Sequence, residues 1–356
     1  MRNRSPSSVR MIALLVVTLS VLVSAPQASA HHGSAPHFDP DDLVTLDGAV
    51  KELRFVNPHS WLHFEVESPD GGPVEWRCEL AGATLLTRRG WSAETLIPGE
   101  PIRVTGAMAR REDNACAIRS LVLADGSDIS NGNLPGSESQ PELVASDSAI
   151  DARSRYLGNG QPNLSGGWLL RSGGGMGAPL PEPTAAGRIA AESYDTRFDN
   201  PVIHCESGNI ILDWTRQSHV NGIEQEDDRV VIRYGYHDLT RTVYLDRDSH
   251  PDAVEPTIAG HSIGRWDGDA LVVDTVGFLE RVMIPRAGLV TSADMQVEER
   301  FWYDENLRAL VREFTVTDPY LSEPYRDRNV MDYAAIPYRP FNCVDLSGEN
   351  NRRPES

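Results

Sequence analysis

Ile263-Gly264-Arg265-Trp266-Asp267-Gly268-Asp269-Ala270-Leu271-Val272-Val273-Asp274-Thr275-Val276 reads as two β-strands joined at Asp267-Gly268-Asp269. Asp-Gly between apolar, β-branched runs is a strong hairpin signal, because the tight turn needs positive φ and Gly supplies it without steric strain. The same grammar recurs around it. Residues 229–236 and 241–245 read as strands joined by a turn at His237-Asp238, and residues 297–303 and 309–316 as a hairpin across Asp304-Glu305-Asn306. Neighbouring strands joined by short turns predict an antiparallel, lipocalin-like β-barrel with an interior pocket. A short helix is expected over 183–194, and Gly173-Gly174-Gly175 marks a flexible stretch.

Upstream the pattern is also β-rich. Residues 44–56, 61–67, 74–80, 102–108 and 116–123 read as strands, with a helical stretch at 81–89 that stops at Gly90. The order β-β-β-α-β-β is that of an OB-like five-stranded barrel. The fold class is therefore mainly β: an OB-like barrel followed by a larger barrel. Residues 126–165 are rich in Gly, Ser, Asn, Asp and Pro and read as a partly disordered linker.

The N-terminus has the grammar of export. Arg2, Arg4 and Arg10 precede an apolar run over 11–23 that is too short for a good membrane span, and Ala28-Ser29-Ala30 is a small-x-small cleavage site. The expected division is a signal peptide (1–30), an OB-like domain with a His-rich arm (31–127), a linker (128–165), a β-barrel-like domain (166–347) and a disordered tail (348–356). Localisation is then periplasmic or secreted, with no membrane insertion after cleavage. The whole chain carries −19, and the first 30 residues hold three arginines and no acid, so cleavage deepens this to −22. So negative a chain is a poor partner for nucleic acid, and the small barrel shows no basic, aromatic-lined groove. The sequence does not identify a protein partner, and a small-molecule partner is expected.

The four cysteines fall two by two, Cys78 and Cys116 early, Cys205 and Cys343 late. In an oxidising compartment one disulfide per domain is the natural pairing, although three connectivities are open. No CxxC spacing supports a cysteine metal site.

Cleavage after Ala30 exposes His31-His32. An N-terminal histidine offers its α-amino nitrogen and ring Nδ1 to one ion, and a further imidazole completes a site that suits copper. His37 follows in the arm. His59, Trp61 and His63 alternate, so on a strand they share one face, with Leu62 and Phe64 turned to the core. His31, His32, His37, His59 and His63 are the candidate metal ligands and copper the candidate cofactor. The competing structural reading is that His59 caps a turn and the arm binds nothing.

A second set lies in the larger barrel. Imidazole as a side-chain type titrates near neutral pH, so His250 and His261 suit an acid–base pair. Arg265, Asp274, Glu299 and Arg300 are charges embedded in strand-like runs. Buried charges must be paired, so Arg265 with Asp274, or Arg300 with a carboxylate, reads first as a structural network closing the barrel. No GxSxG elbow, HExxH, P-loop or strand-borne GxGxxG occurs.

Ala30-His31-His32, Asn57-Pro58-His59-Ser60-Trp61, Arg88-Arg89-Gly90-Trp91 and Pro98-Gly99-Glu100 together resemble the secreted bacterial domain-of-unknown-function family numbered 6152, over residues 30 to 127. From residue 162 onward the chain resembles a second uncharacterised secreted bacterial family. That likeness is carried by Pro162-Asn163-Leu164-Ser165-Gly166-Gly167-Trp168, His250-Pro251, Gly260-His261-Ser262 through Gly277-Phe278, Glu299-Arg300-Phe301 and Cys343. The chain departs from that family at Glu206-Ser207-Gly208-Asn209 and at Ile258-Ala259. Neither resemblance implies an activity. Three functions follow as expectations: a copper-binding protein with a small-molecule pocket in the second barrel, an enzyme acting on an apolar small molecule through His250 and His261, or a non-catalytic binding module.

Overall fold

Alternation of buried and exposed side chains closes this chain into two β-barrels. The computed structural model describes residues 37–69, 71–129, 143–196 and 198–344. The first barrel holds β1 (Phe38–Arg54), β2 (Trp61–Glu67), β3 (Pro73–Glu79), α1 (Ala83–Arg88), β4 (Pro101–Ala109) and β5 (Ala115–Leu123), in the closed order β1-β2-β3-β5-β4. β1 pairs antiparallel with both β2 and β4, and the parallel pair β3–β5 shuts the ring. This is the OB-like arrangement expected. Cys78 and Cys116 face each other across the closing pair and form a disulfide. Gly106 is required there: a Cβ would sit 2.3 Å from Cys116 Sγ. Leu62 and Phe64 are fully buried, as the alternation predicted, and each such side chain contributes about 1.5–3 kcal/mol of burial.

Within the stretch read as a linker, residues 143–165 are ordered against the second barrel. Ser146 caps α2 (Asp147–Ala152), Ala145 N–H donates to the Tyr333 carbonyl at 2.8 Å, and Leu164 is buried. There follow β6 (Gly166–Leu170), α3 (Ala185–Ala191), β7 (Asn221–Gln225), β8 (Arg229–Arg233), β9 (Thr240–Tyr244), β10 (His261–Asp267) and β11 (Ala270–Val276). The chain ends with β12 (Arg281–Ile284), β13 (Leu289–Thr291), β14 (Gln296–Asp304), β15 (Ala309–Thr317) and β16 (Tyr325–Tyr333). Nine of these strands close a barrel in the order β10-β11-β14-β15-β16-β6-β7-β8-β9, with β12 and β13 forming a separate hairpin. The neighbours pair antiparallel except β9 and β10, which are parallel. Cys205 and Cys343 form the second disulfide.

The interior is not the pocket the meander suggested. Ile210, Ile211 and Trp214 are fully buried in the barrel core, and Trp214 packs edge-on to Tyr234 and Phe301 at 5.9 and 5.7 Å. Asn209 pins the inserted segment by donating Nδ2–H to the Met283 carbonyl at 2.9 Å. The two barrels are joined by the C-terminal strap. Asn57 donates to the Phe341 carbonyl at 2.6 Å and accepts Val344 N–H at 2.8 Å, while Arg88 donates to the Ser218 carbonyl.

Candidate functional site

The side-chain phase of β10 and β11 decides where chemistry sits. Ser262 and Gly264 turn inward on β10, and Leu271, Val273 and Thr275 on β11. His261 and Asp274 therefore lie on the outer face, one residue out of phase with an interior location. Gly260, at φ +67, makes the turn that delivers His261; a Cβ there would meet Thr275 Cγ2 at 2.7 Å.

On that outer face three candidate residues form one chain. His250 Nε2 lies 3.2 Å from Asp274 Oδ2, and His250 Nδ1 lies 2.8 Å from His261 Nδ1. A carboxylate only accepts, so it selects the His250 tautomer with hydrogen on Nε2. His250 Nδ1 is then an acceptor, and His261 must donate from its own Nδ1. That assignment, inferred from the donor and acceptor inventory, leaves His261 Nε2 with a lone pair. Among the described residues this nitrogen has no hydrogen-bond partner, and it is shielded from water. Burial, helped by His250 and Arg247, lowers the pKa of His261 below its ordinary value. Tyr244 stacks on the His261 ring at 5.3 Å, and the Arg247 guanidinium sits 3.9 Å from the Tyr244 ring centre. An open cleft of about 630 Å³ runs beside them, with Leu239, Pro256, Ile258, Ala259 and Leu279 among its walls.

The other candidates are dispersed. Asp274 holds His250 and not Arg265; Arg265 is registered opposite Val272 and is exposed. Arg300 pairs with Asp267 at 2.6 Å on the surface. Glu299 points into the core, where it takes hydrogen bonds from two buried arginines that sequence reading passed over. Arg241 is one, and Arg312 Nε donates at 2.7 Å. Arg241 also donates to Ser262 and Thr275, and Arg312 to the Ile210 carbonyl. Burial alone would raise Glu299, but the two guanidiniums overcome it and hold the carboxyl below its ordinary range. This network welds the inserted segment to the wall and is structural.

In the first barrel the two strand-side histidines are held by different carboxylates. His31 and His32 lie outside the described residues. His63 projects outward from β2, as expected, but its Nδ1 is 3.0 Å from Glu75, whereas His59 precedes the strand and its Nδ1 is 3.0 Å from Glu79. Between them Arg77 covers the Trp61 ring and pairs with Glu112. Partial burial opposes protonation of His59, but Glu79 and the Leu80 backbone raise its pKa overall. His37 is lowered chiefly by burial and feels the fields of Glu79, Arg111, Glu112 and His59. Among the described residues no group of three His, Cys, Asp or Glu side chains is arranged to hold a metal ion.

Residues 18–118 match the model of a family of unknown function (DUF6152). Comparison with curated proteins and with solved structures gives no match. Among the described residues no helix is long and apolar enough to cross a membrane.

Proposed function

We propose that the outer cleft of the second barrel binds an uncharged, mainly apolar molecule, and that His261 Nε2, covered in the free protein, accepts a proton from the ligand once its entry displaces that cover. The observation that carries this reading is the chain Asp274–His250–His261, whose last nitrogen has no partner. Asp274 fixes the His250 tautomer, His250 orients His261, and a desolvated imidazole with a lowered pKa stays neutral and basic at pH 7. The protein is exported, and its disulfides form in an oxidising compartment. A direct test is deuterium exchange from D2O into the α-position of 2-indanone, an apolar carbon acid. Wild-type protein should accelerate exchange and His261→Asn should not; equal rates for the two contradict the reading.

A second reading concerns the arm. His37 lies within the electrostatic fields of His59 and Glu79, and a mature N-terminus six residues upstream of it is close enough along the chain to reach the same edge. His31 would supply an amine and a ring nitrogen, His59 another imidazole, and copper suits that donor set. Copper titration of naturally processed protein, beside a version that keeps Met before His31, tests it: stoichiometric binding by the first alone supports the site, and no binding by either removes it.

A further inference from the structure

Beside His261 the barrel wall is left unpaired. β9 pairs with β8 along its whole length, from Thr240 to Tyr244, but with β10 only at Val243 and Tyr244. The phase of the β8–β9 ladder follows from two bonds, Tyr234 N–H to the Leu239 carbonyl and Leu245 N–H to the Asp228 carbonyl. Main-chain groups alternate sides along an antiparallel strand. Arg241 and Val243 therefore bond toward β8, and Thr240 and Thr242 turn their main chain toward β10. The Ser262–Val243 pair uses the Thr242 carbonyl and the Tyr244 amide. Among the described residues, the Thr242 N–H and both main-chain groups of Thr240 have no main-chain partner.

The reason is the path into β10. Residues 256–260 do not continue along β9; Thr257 N–H donates to the Gly277 carbonyl at 3.0 Å and Leu279 N–H to the Thr257 carbonyl at 3.1 Å. Gly260 then turns the chain sharply into β10. The gap between the two paths is the cleft, and Thr240, Arg241 and Thr242 form its floor. Open sheet edges are normally blocked by charge, proline or a covering segment, because they pair with any extended chain. Here the cleft walls are aliphatic and threonine side chains, with Tyr244 and His261 at one end. The one guanidinium, that of Arg241, is turned inward and held by Glu299.

We propose that this cleft takes a short extended peptide, which adds as a strand to the Thr240–Thr242 edge. The inference rests on the cleft reading above and names its occupant. Main-chain amides meet the free groups of Thr240 and Thr242 over about 10 Å, at roughly 3.3 Å per residue. Uncharged apolar side chains lie against Ile258 and Leu279, since no free charge in the walls would match an ionic one. One end of the peptide then passes His261.

The test uses the full processed protein and the blocked peptide acetyl-Ala-Val-Leu-Ala-amide. Binding should slow hydrogen exchange at the Thr242 amide, and Thr242→Pro should weaken it about tenfold, the loss expected for one hydrogen bond. Proline is tolerated there because this N–H does not serve the β8 ladder. The same peptide with N-methylated amides should not bind. Should Thr242→Pro fail to fold, amide exchange in the wild type decides. Unchanged exchange at Thr242, equal binding of the N-methylated peptide, or no binding overturns strand addition. Wild-type protein that binds the peptide but does not accelerate indanone exchange sinks only the proton chemistry. The converse result sinks only strand addition.

Discussion

His250 Nδ1 and His261 Nδ1 face each other at 2.8 Å, close enough that a hydrogen must lie between them. Two like nitrogens at this distance are stable only if one ring donates and the other accepts. Asp274, on the far side of His250, breaks the symmetry, because it can only accept. A carboxylate on β11 thus sets the protonation of a ring that it does not touch.

Asp274→Asn removes that bias without removing either histidine. Stability should change by no more than about 1 kcal/mol, since the pair is partly exposed. Indanone exchange should fall by about tenfold or more, within the range of a misplaced general base. In the wild type the rate should rise with pH and level off below pH 6.5, because the base acts when neutral and His261 is lowered from 6.5. A plateau only above neutrality would contradict the assignment.

Glu299→Gln should be far more damaging. It strands Arg241 and Arg312, both fully buried, without their shared counter-charge. Breaking a buried ion pair from one side costs about 3–5 kcal/mol, readable as a lowered denaturant midpoint. Because the folded carboxyl is held below its ordinary value, its stabilisation is complete above that value and is lost as pH falls through the folded one.

Acid should also act at the joint between the barrels. Burial, with Arg88 and Arg216, lowers His219 to about 3, and burial with Arg216 lowers His237 to about 4. Below about pH 6.5 the unfolded chain binds protons that the folded chain refuses, so stability falls by up to about 1.4 kcal/mol per pH unit for each ring. His219→Phe keeps the ring contacts to Tyr236 and Phe341, and His237→Asn tolerates the positive φ. Both should flatten the slope of unfolding free energy between pH 6 and pH 4.5; an unchanged slope would place the acid sensitivity elsewhere.

Reduction of Cys205–Cys343 should loosen the same joint. The bridge closes a separation of 138 residues and ties the strap that carries Phe341 and Val344 against Asn57. Cys205→Ser with Cys343→Ser should lose about 2–4 kcal/mol and expose the Val344 amide to hydrogen exchange first. Protection equal to wild type would mean that the strap holds by its hydrogen bonds alone.

What was legible in the sequence was local. Asp267-Gly268-Asp269 does turn β10 into β11, His237 and Asp238 both adopt the positive φ of a turn, and Leu62 and Phe64 point inward. His250 and His261 do meet, whereas Asp274, read as a partner of Arg265, joins them instead. What was not legible depends on one-residue phase or on distant pairing. His261-Ser262-Ile263-Gly264 has polar and apolar residues on both faces, so alternation could not say that Ser262 goes in and His261 out. The closing pairs β16–β6 and β9–β10 join strands that no short turn connects. Arg312 did carry a signal: Leu310, Arg312, Phe314 and Val316 form one inward stripe broken by a charge, the mark of a buried ion pair.

Nitrogen-15 NMR of labelled imidazoles at pH 7 reads directly where the hydrogens of His250 and His261 sit. The predicted result is His250 protonated at Nε2 and His261 protonated at Nδ1, with a bare His261 Nε2. A His261 ring carrying its hydrogen on Nε2 would leave no base at the cleft and would contradict the account.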